Sequence, residues 1–513
     1  MEAAGAYDPA AAALRARSRP RVRIRADRPA VPGASSDISA STATLLLFIT
    51  VAVAAALRLI GGNGQLWYDE IRTLVGSVRE PLGTIVSHFP SNNDHVLYSL
   101  LSHVSIALFG ETPLTVRLPA ILFGIGSIPL IYWLGRSVTT RFEALAAALL
   151  GAVAAHHIWF SQNARGYTLL LVFALIGTRM IVEGIERRSL RPWLVFAVVS
   201  ALGAYTHLTT IFAVIGQAMV VGIYLLSTRR LSFAEARGPL IGFGVAALLT
   251  LLLYVPMIGD VAAFFGESGA GPKAAGASWA ILELVRNLRF GFDGGLVLLV
   301  GAAIFLIGLG SYLRQSPLIP ALFFVPPAVV YGVAAALSRP TFPRFFFFVA
   351  GFLLLVGVRG VFSINRFALS RLGPRWIGWE KPVQCAAVAA MVLVLTLDLA
   401  RTYLRPKMDY DGALAFAEAQ RRPGEPILLG ETGAGYVYTQ YYHRAWPELT
   451  GADDLRARRR AGDVLVVHTF ERYLDKGQPA LLAELRTRCF ELRNFPGTLY
   501  DGDIHVSRCP HQP

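Results

Sequence analysis

The chain is built around a train of apolar blocks of about 17 to 22 residues, each long enough to cross a hydrocarbon core of about 30 Å as a helix. Short connections containing arginine, glycine and proline separate them. Inside a bilayer every backbone N–H and C=O must find its partner within the protein, so such blocks are confined to helices. With 54% hydrophobic residues, 16% charged residues and a mean hydropathy of +0.49, the 513-residue sequence does not suit a soluble globular protein. Its net charge of +14 does not point to nucleic acid. The arginines cluster at the ends of apolar blocks, where they orient helices against anionic lipid.

Cytoplasmic connections are enriched in Arg and Lys, and that bias threads the chain. The basic stretch Arg15 to Arg28 precedes an apolar run too long for a signal-peptide core, with no small-residue cleavage site after it. Residues 1–40 therefore read as a disordered cytoplasmic arm, and the first span as an uncleaved anchor. Spans are expected at 42–60, 118–135, 142–160, 168–185, 193–210, 211–227, 239–258, 295–312, 318–337, 345–363 and 383–400, about eleven in all. The stretch His95 to Phe109 is short and carries His95 and His103, so it is read as an interfacial or re-entrant helix. Counting it as a crossing would put most arginine clusters outside. Leaving it out places every multi-arginine cluster inside except Arg339 with Arg344.

The expected fold is thus an α-helical polytopic membrane module over 41–400, N-terminus in and C-terminus out, followed by a small extracytoplasmic α/β domain over 401–513. In that tail, strand-like runs (Pro426 to Leu429, Val464 to Val467) alternate with helical patterns at Tyr410 to Gln420 and Pro479 to Arg488.

This threading gathers polar groups on the outer face. Asp69 and Glu70 follow the first span in Trp67-Tyr68-Asp69-Glu70, and Asp94, His95, Arg117, Arg165, Tyr167, His207, Arg339 and Arg344 join them. Two adjacent acids can simply open a helix, and a single arginine can snorkel to headgroups. Several outside arginines running against the positive-inside bias, beside acids, instead suit an anionic lipid-linked substrate. A guanidinium grips phosphate bidentately, and a carboxylate serves as general base. His95, His207 and an acid could hold a divalent metal ion, although no short His spacing signals one and a hydrogen-bonded structural histidine is the default. No Walker loop, GxGxxG fingerprint or zinc-hydrolase motif occurs.

Several motifs occur in the order in which a known family carries them. They are Trp67-Tyr68-Asp69-Glu70, Asn93-Asp94-His95-Val96-Leu97-Tyr98, Phe109-Gly110 with Val116-Arg117-Leu118-Pro119-Ala120, and Ser161-Gln162-Asn163-Ala164-Arg165-Gly166-Tyr167. Ala204-Tyr205-Thr206-His207 and Pro343-Arg344-Phe345 add weaker matches. Over about residues 40 to 350 the chain resembles the multi-spanning GT-C glycosyltransferases. It is most similar to the bacterial family 39 relatives of protein O-mannosyltransferases and lipid A aminoarabinose transferases. The resemblance implies an inverting enzyme of the bacterial inner membrane that moves a sugar from a polyprenyl-phosphate donor to a glycan, lipid or protein acceptor on the outer, periplasmic face. It also implies Asp69 as catalytic base with Glu70 as companion, and Arg117, Arg165 and Arg344 as phosphate ligands. Tyr167 and Arg339 are counted with these arginines as residues that bind the donor phosphate. The chain departs from the family's His-Pro-Pro at His95-Val96-Leu97.

Two other classes remain open to the sequence. A transporter would carry mid-span charges and broken helices in corresponding positions of two halves, and a non-catalytic lipid-binding or assembly subunit would need the arginines without the acid. In the tail, Cys489 and Cys509 flank strand-like runs separated by the turn-forming stretch Gly497 to Asp503, so an antiparallel pair would bring the two sulfurs together as a disulfide. Cys385 lies in an apolar run and reads as a small hydrophobe.

Overall fold

The computed structural model describes residues 37–89, 94–228, 232–266, 295–337, 342–430, 433–499 and 501–512. The N-terminal arm, most of the Gly/Ala-rich loop after residue 258, and Arg339 lie outside them.

Among the described residues, nine helices are long and apolar enough to cross a membrane. The pair Arg141–Val153 and Ala155–Ser161, bent by 62°, is long and apolar enough when taken together, and we read it as a tenth, bent crossing. Adding the shorter Leu190–Thr206, each of the eleven expected spans falls on a helix. Val96–Phe109 has 14 residues, about 21 Å of helix, which is too short for the hydrocarbon core. It lies against Pro113–Val138, bonded through Tyr98 and Ser102 to the Val116 carbonyl.

The helices are layered by what they bury. Only 17% of the first span's apolar window is buried, and Leu45, Phe48 and Ile49 face outward, as lipid contact requires. Tyr167–Arg187, with 72% of its window buried, is central. Helices Gly295–Gln315 and Ala350–Leu372 cross so closely that a Cβ on Gly308 or Gly360 would overlap a carbonyl of the other helix. Small residues at such a crossing allow membrane helices to pack without a hydrophobic driving force.

The last long helix, Glu380–Leu404, delivers the chain into the tail. There a four-stranded sheet forms in the order β1 (Ile427–Leu429), β2 (Val464–Thr469), β4 (Ile504–Cys509), β3 (Phe490–Phe495). β1 pairs with β2 in parallel, and β4 runs antiparallel to both of its neighbours. Helices Tyr410–Gln420 and Pro479–Arg488 stand where the sequence pattern expects them. Cys489, just before β3, and Cys509, at the end of β4, are joined by a disulfide with Cα atoms 4.1 Å apart. Cys385 is free and exposed.

β2 is buried on both faces, and its alternation divides two cores. Val464 and Val466 pack with Leu455, Leu481, Leu482 and Leu485. Leu465 and Val467 point the other way, into a core that continues through Met408 and Tyr410 to Trp67, Ile71, Tyr98, Val116 and Ala164 of the helical module. Sheet and bundle therefore share one hydrophobic core at the end that carries Asp69. Gln65 reinforces the junction, giving a hydrogen bond to Asp409 and receiving one from the Asp411 amide.

Candidate active site

After the first span the chain turns through glycines and enters the short helix Tyr68–Thr73, with Trp67 at its N-cap. Glu70 reaches back to accept a hydrogen bond from the Trp67 amide, 3.2 Å away. Successive helical residues point about 100° apart, so two adjacent acids face different surroundings. That rotation separates Asp69 from Glu70.

Glu70 is fully buried and saturated. Its Oε1 accepts from Arg117 Nε and from the Ala164 amide, both at 2.7 Å, and its Oε2 accepts from Arg117 Nη2 at 2.6 Å. The ammonium of Lys407 lies 3.5 Å from Oε1. Burial alone would raise the Glu70 carboxyl, but Arg117 and Lys407 outweigh it and hold it at about 2. Arg117 uses its remaining donors on the carbonyls of Gly62, Gly64 and Gln65. With its donors engaged inside the protein, Arg117 braces Glu70 and the 62–65 turn, which differs from the phosphate-ligand role implied for it. Lys407 also donates to the Gln162 carbonyl and sits 4.8 Å above the Trp159 ring. Burial first, and then the neighbouring Arg117 charge, lower Lys407 to about 7, against the partial support of Glu70.

Asp69 turns instead toward a pocket of donors. Its Oδ2 lies 3.3 Å from Arg344 Nη1 and, although buried, has no hydrogen-bond partner. Arg344 rests 4.5 Å from the Phe342 ring. Thr73 ties a second arginine to the same place, since its hydroxyl bonds the Asp69 carbonyl and receives Arg165 Nη1 at 2.9 Å. The bent crossing delivers that arginine. Helix Ala155–Ser161 ends just before Gln162 to Arg165, and Asn163 accepts from the Trp67 indole.

Two histidines line this pocket. The His95 and His207 rings lie 5.0 Å apart, and Tyr167 meets His95 edge-on, also at 5.0 Å. Gly166 makes the approach feasible, because a Cβ there would stand 2.8 Å from His95 Nδ1. Thr209 donates its amide to His207 Nδ1, which leaves Nε2 as the N–H of the neutral ring. That Nε2, both nitrogens of His95 and the Tyr167 hydroxyl are buried without partners. Buried polar groups are nearly always satisfied, by protein, water or ligand, so such a cluster is a candidate ligand site. Burial, with Arg165, His207 and Arg344 close by, keeps His95 well below the ordinary histidine range and therefore neutral. A pocket flanked by two guanidiniums suits an anion. Among the described residues no carboxylate completes a metal-ligand group with His95 and His207.

Asp94 is half-buried directly before His95. Sequence reasoning missed Lys407, which follows the last span as one more basic residue and acquires meaning only when the tail folds back. It also missed Thr73 and Trp67 as the groups that place Arg165 and the Asn163 loop.

Residues 95–259 match the family described as dolichyl-phosphate-mannose-protein mannosyltransferase. Among solved structures, ArnT from Cupriavidus metallidurans in the apo state aligns with a TM-score of 0.54 at 15% identity, covering 92% of this chain and 98% of that one. The same protein bound to undecaprenyl phosphate gives 0.52 at 13% identity, with the same coverage. The oligosaccharyltransferase AglB from Archaeoglobus fulgidus, complexed with an inhibitory peptide and a dolichol-phosphate, gives 0.51 at 12% identity over 91% of this chain and 74% of that one. No curated protein sequence matches the chain. At these identities the likeness is one of fold, a GT-C glycosyltransferase fold.

Proposed function

We propose that this chain, which carries the GT-C glycosyltransferase fold, transfers a sugar from a polyprenyl-phosphate donor to an acceptor on the outer face of a bacterial inner membrane, with inversion at the anomeric carbon. The observation that carries this reading is the pocket itself. A buried carboxylate, Asp69, sits on Arg344 beside Arg165 and the unpartnered donors of His95, His207 and Tyr167.

The donor phosphate takes the place of the Asp69 carboxylate on Arg344 and meets Arg165, His95 and Tyr167. Released from its ion pair, Asp69 removes the proton from the attacking acceptor group as that group's lone pair forms the new bond to the anomeric carbon. The bond from that carbon to the phosphate oxygen breaks, and its electron pair leaves on the lipid phosphate. The arginines stabilise the charge developing there, the kind of preorganised electrostatics that usually supplies the largest share of catalysis. Glu70 does not take part. It orients the helix that presents Asp69. Two solved proteins sharing the fold hold undecaprenyl phosphate and a dolichol-phosphate, which agrees with a phosphate-lipid donor here. We read the tail and the site as extracytoplasmic because the arginine-rich connections then lie in the cytoplasm. A metal ion enters no step, since the histidines stand among cations.

The test is a reconstituted reaction. The purified chain in lipid is given polyprenyl-phosphate-linked sugars together with envelope glycans, lipids and proteins, and release of polyprenyl phosphate is followed by mass spectrometry. Release that depends on Asp69 is expected. Release undiminished in Asp69→Asn would remove the reading.

A further inference from the structure

Away from that pocket, on the tail sheet, three potential metal ligands converge. His468 on β2 faces His505 on β4 as a cross-strand pair, their rings stacked at 5.0 Å. Glu471, three residues beyond His468, brings its Oε1 to 3.4 Å from His468 Nε2. One ligand atom from each residue lies within 4.8 Å of the others. His468 is 3% exposed, and its Nδ1 is buried with no partner. His505 Nδ1 is bonded to Glu491 Oε2 at 2.7 Å. A carboxylate on one ring nitrogen of a histidine fixes its tautomer and frees the other nitrogen's lone pair, the companion that ligating histidines usually have.

From this constellation we infer that His468, Glu471 and His505 form a binding site for a divalent transition-metal ion of the zinc class. Two neutral imidazoles and a carboxylate are the donor set that zinc accepts, with a fourth position left to water. Ligands about 2.1 Å from a tetrahedral ion stand about 3.4 Å apart, so side-chain rotations of about an ångström close the sphere. Arg486 holds Glu471 through Oε2 at 2.6 Å, on the oxygen opposite the one facing His468. The ion and Arg486 therefore engage different atoms of one carboxylate.

The position of this site gives the ion a task. Between His468 and Glu471 lies Phe470, a non-glycine residue at φ +51°, whose ring packs edge-on against Tyr68 at 5.4 Å. Tyr68 immediately precedes Asp69. An ion bridging β2, β4 and the start of helix Glu471–Gly477 staples the turn that lies on the acid's own helix. The inference stands on tail residues and does not depend on the chemistry proposed for Asp69.

The full chain, purified in detergent and stripped with chelator, is titrated with zinc chloride by calorimetry, and its unfolding temperature is read with and without the ion. One zinc per chain and a rise in unfolding temperature are expected. Both should be lost in His468→Gln with His505→Gln, and kept in His95→Gln. Because the double variant could misfold, the stripped wild-type chain is also loaded with cobalt, whose intense visible absorption reports a tetrahedral nitrogen and oxygen site. Glu471→Gln should weaken that absorption. No uptake by the stripped wild-type chain would overturn the inference, as would zinc binding that survives in the tail variant and disappears in His95→Gln.

Discussion

Replacing Glu70 by Gln leaves shape almost unchanged and removes one charge from a buried set in which Arg117 and Lys407 both face the carboxylate. Breaking a buried ion pair by removing one partner costs about 3 to 5 kcal/mol, because the other charge stays behind undercompensated. Arg117 keeps three carbonyl acceptors, on Gly62, Gly64 and Gln65, and Lys407 loses its proton readily, so the loss should fall near about 3 kcal/mol. Asp69→Asn should behave in the opposite way. Its partner Arg344 is partly exposed and retains the Phe342 ring, so stability should change by less than about 1 kcal/mol. The turnover of the Asn variant should drop about 10²- to 10⁴-fold, or about 3 to 5 kcal/mol in the barrier, which is the usual contribution of a general base. The assay pairs thermal unfolding in one detergent with donor turnover per folded molecule for both variants. The expected pattern is a destabilised Gln variant with near-normal turnover per folded molecule, and a stable, inactive Asn variant. A Glu70→Gln protein as stable as wild type would show that the Arg117 network does not anchor the acid's helix. The reverse pattern would exchange the roles of the two residues.

Other consequences follow from the same contacts. Arg344→Lys and Arg165→Lys should raise the donor KM, because an ammonium cannot reproduce the guanidinium fork; unchanged KM in both would make these residues lipid anchors. Lys407, held at about 7 against an ordinary 10.5, is neutral in the folded protein where the unfolded chain still carries its proton. Its contribution to stability is therefore present above pH 10.5 and is lost as pH falls toward 7, so unfolding temperature should climb between these values. The climb should flatten in Lys407→Met, and an identical profile would refute the assignment. Cys509→Ser opens a loop of sequence separation 20 and should destabilise the tail by about 3 kcal/mol, with two thiols labelled in the reduced wild-type tail and none before reduction. A reporter fused after Arg401 should be active outside the cytoplasm and one fused after Arg230 inside it, and the inverse would mean that 95–109 crosses the membrane.

The membrane architecture was legible because a bilayer enforces length and composition. Each apolar block had to become a helix, and the block at 95–109 forms one shorter than the hydrocarbon core. The strands of the tail were legible through their apolar runs, and the cysteines through the turn between them. The bend at Ala154 was not. It has no proline, only an extended backbone at ψ 118° in an alanine-rich run, and tertiary packing decides it. Composition was equally silent on the division of labour between Asp69 and Glu70, since two adjacent acids in one motif look equivalent until a helix rotates them apart. Glu70 meets Arg117 from one helix, the Ala164 amide from the bent crossing, and Lys407 from beyond the last span, all distant in sequence. The same holds for His468 and His505, which meet only because β4 inserts between β2 and β3. Residues that a bilayer or a strand must place are readable one segment at a time. A residue whose role depends on which neighbour neutralises it is readable only once the segments meet: Glu70, not Asp69, receives the buried Arg117, and that is why the proposed reaction assigns the base to Asp69.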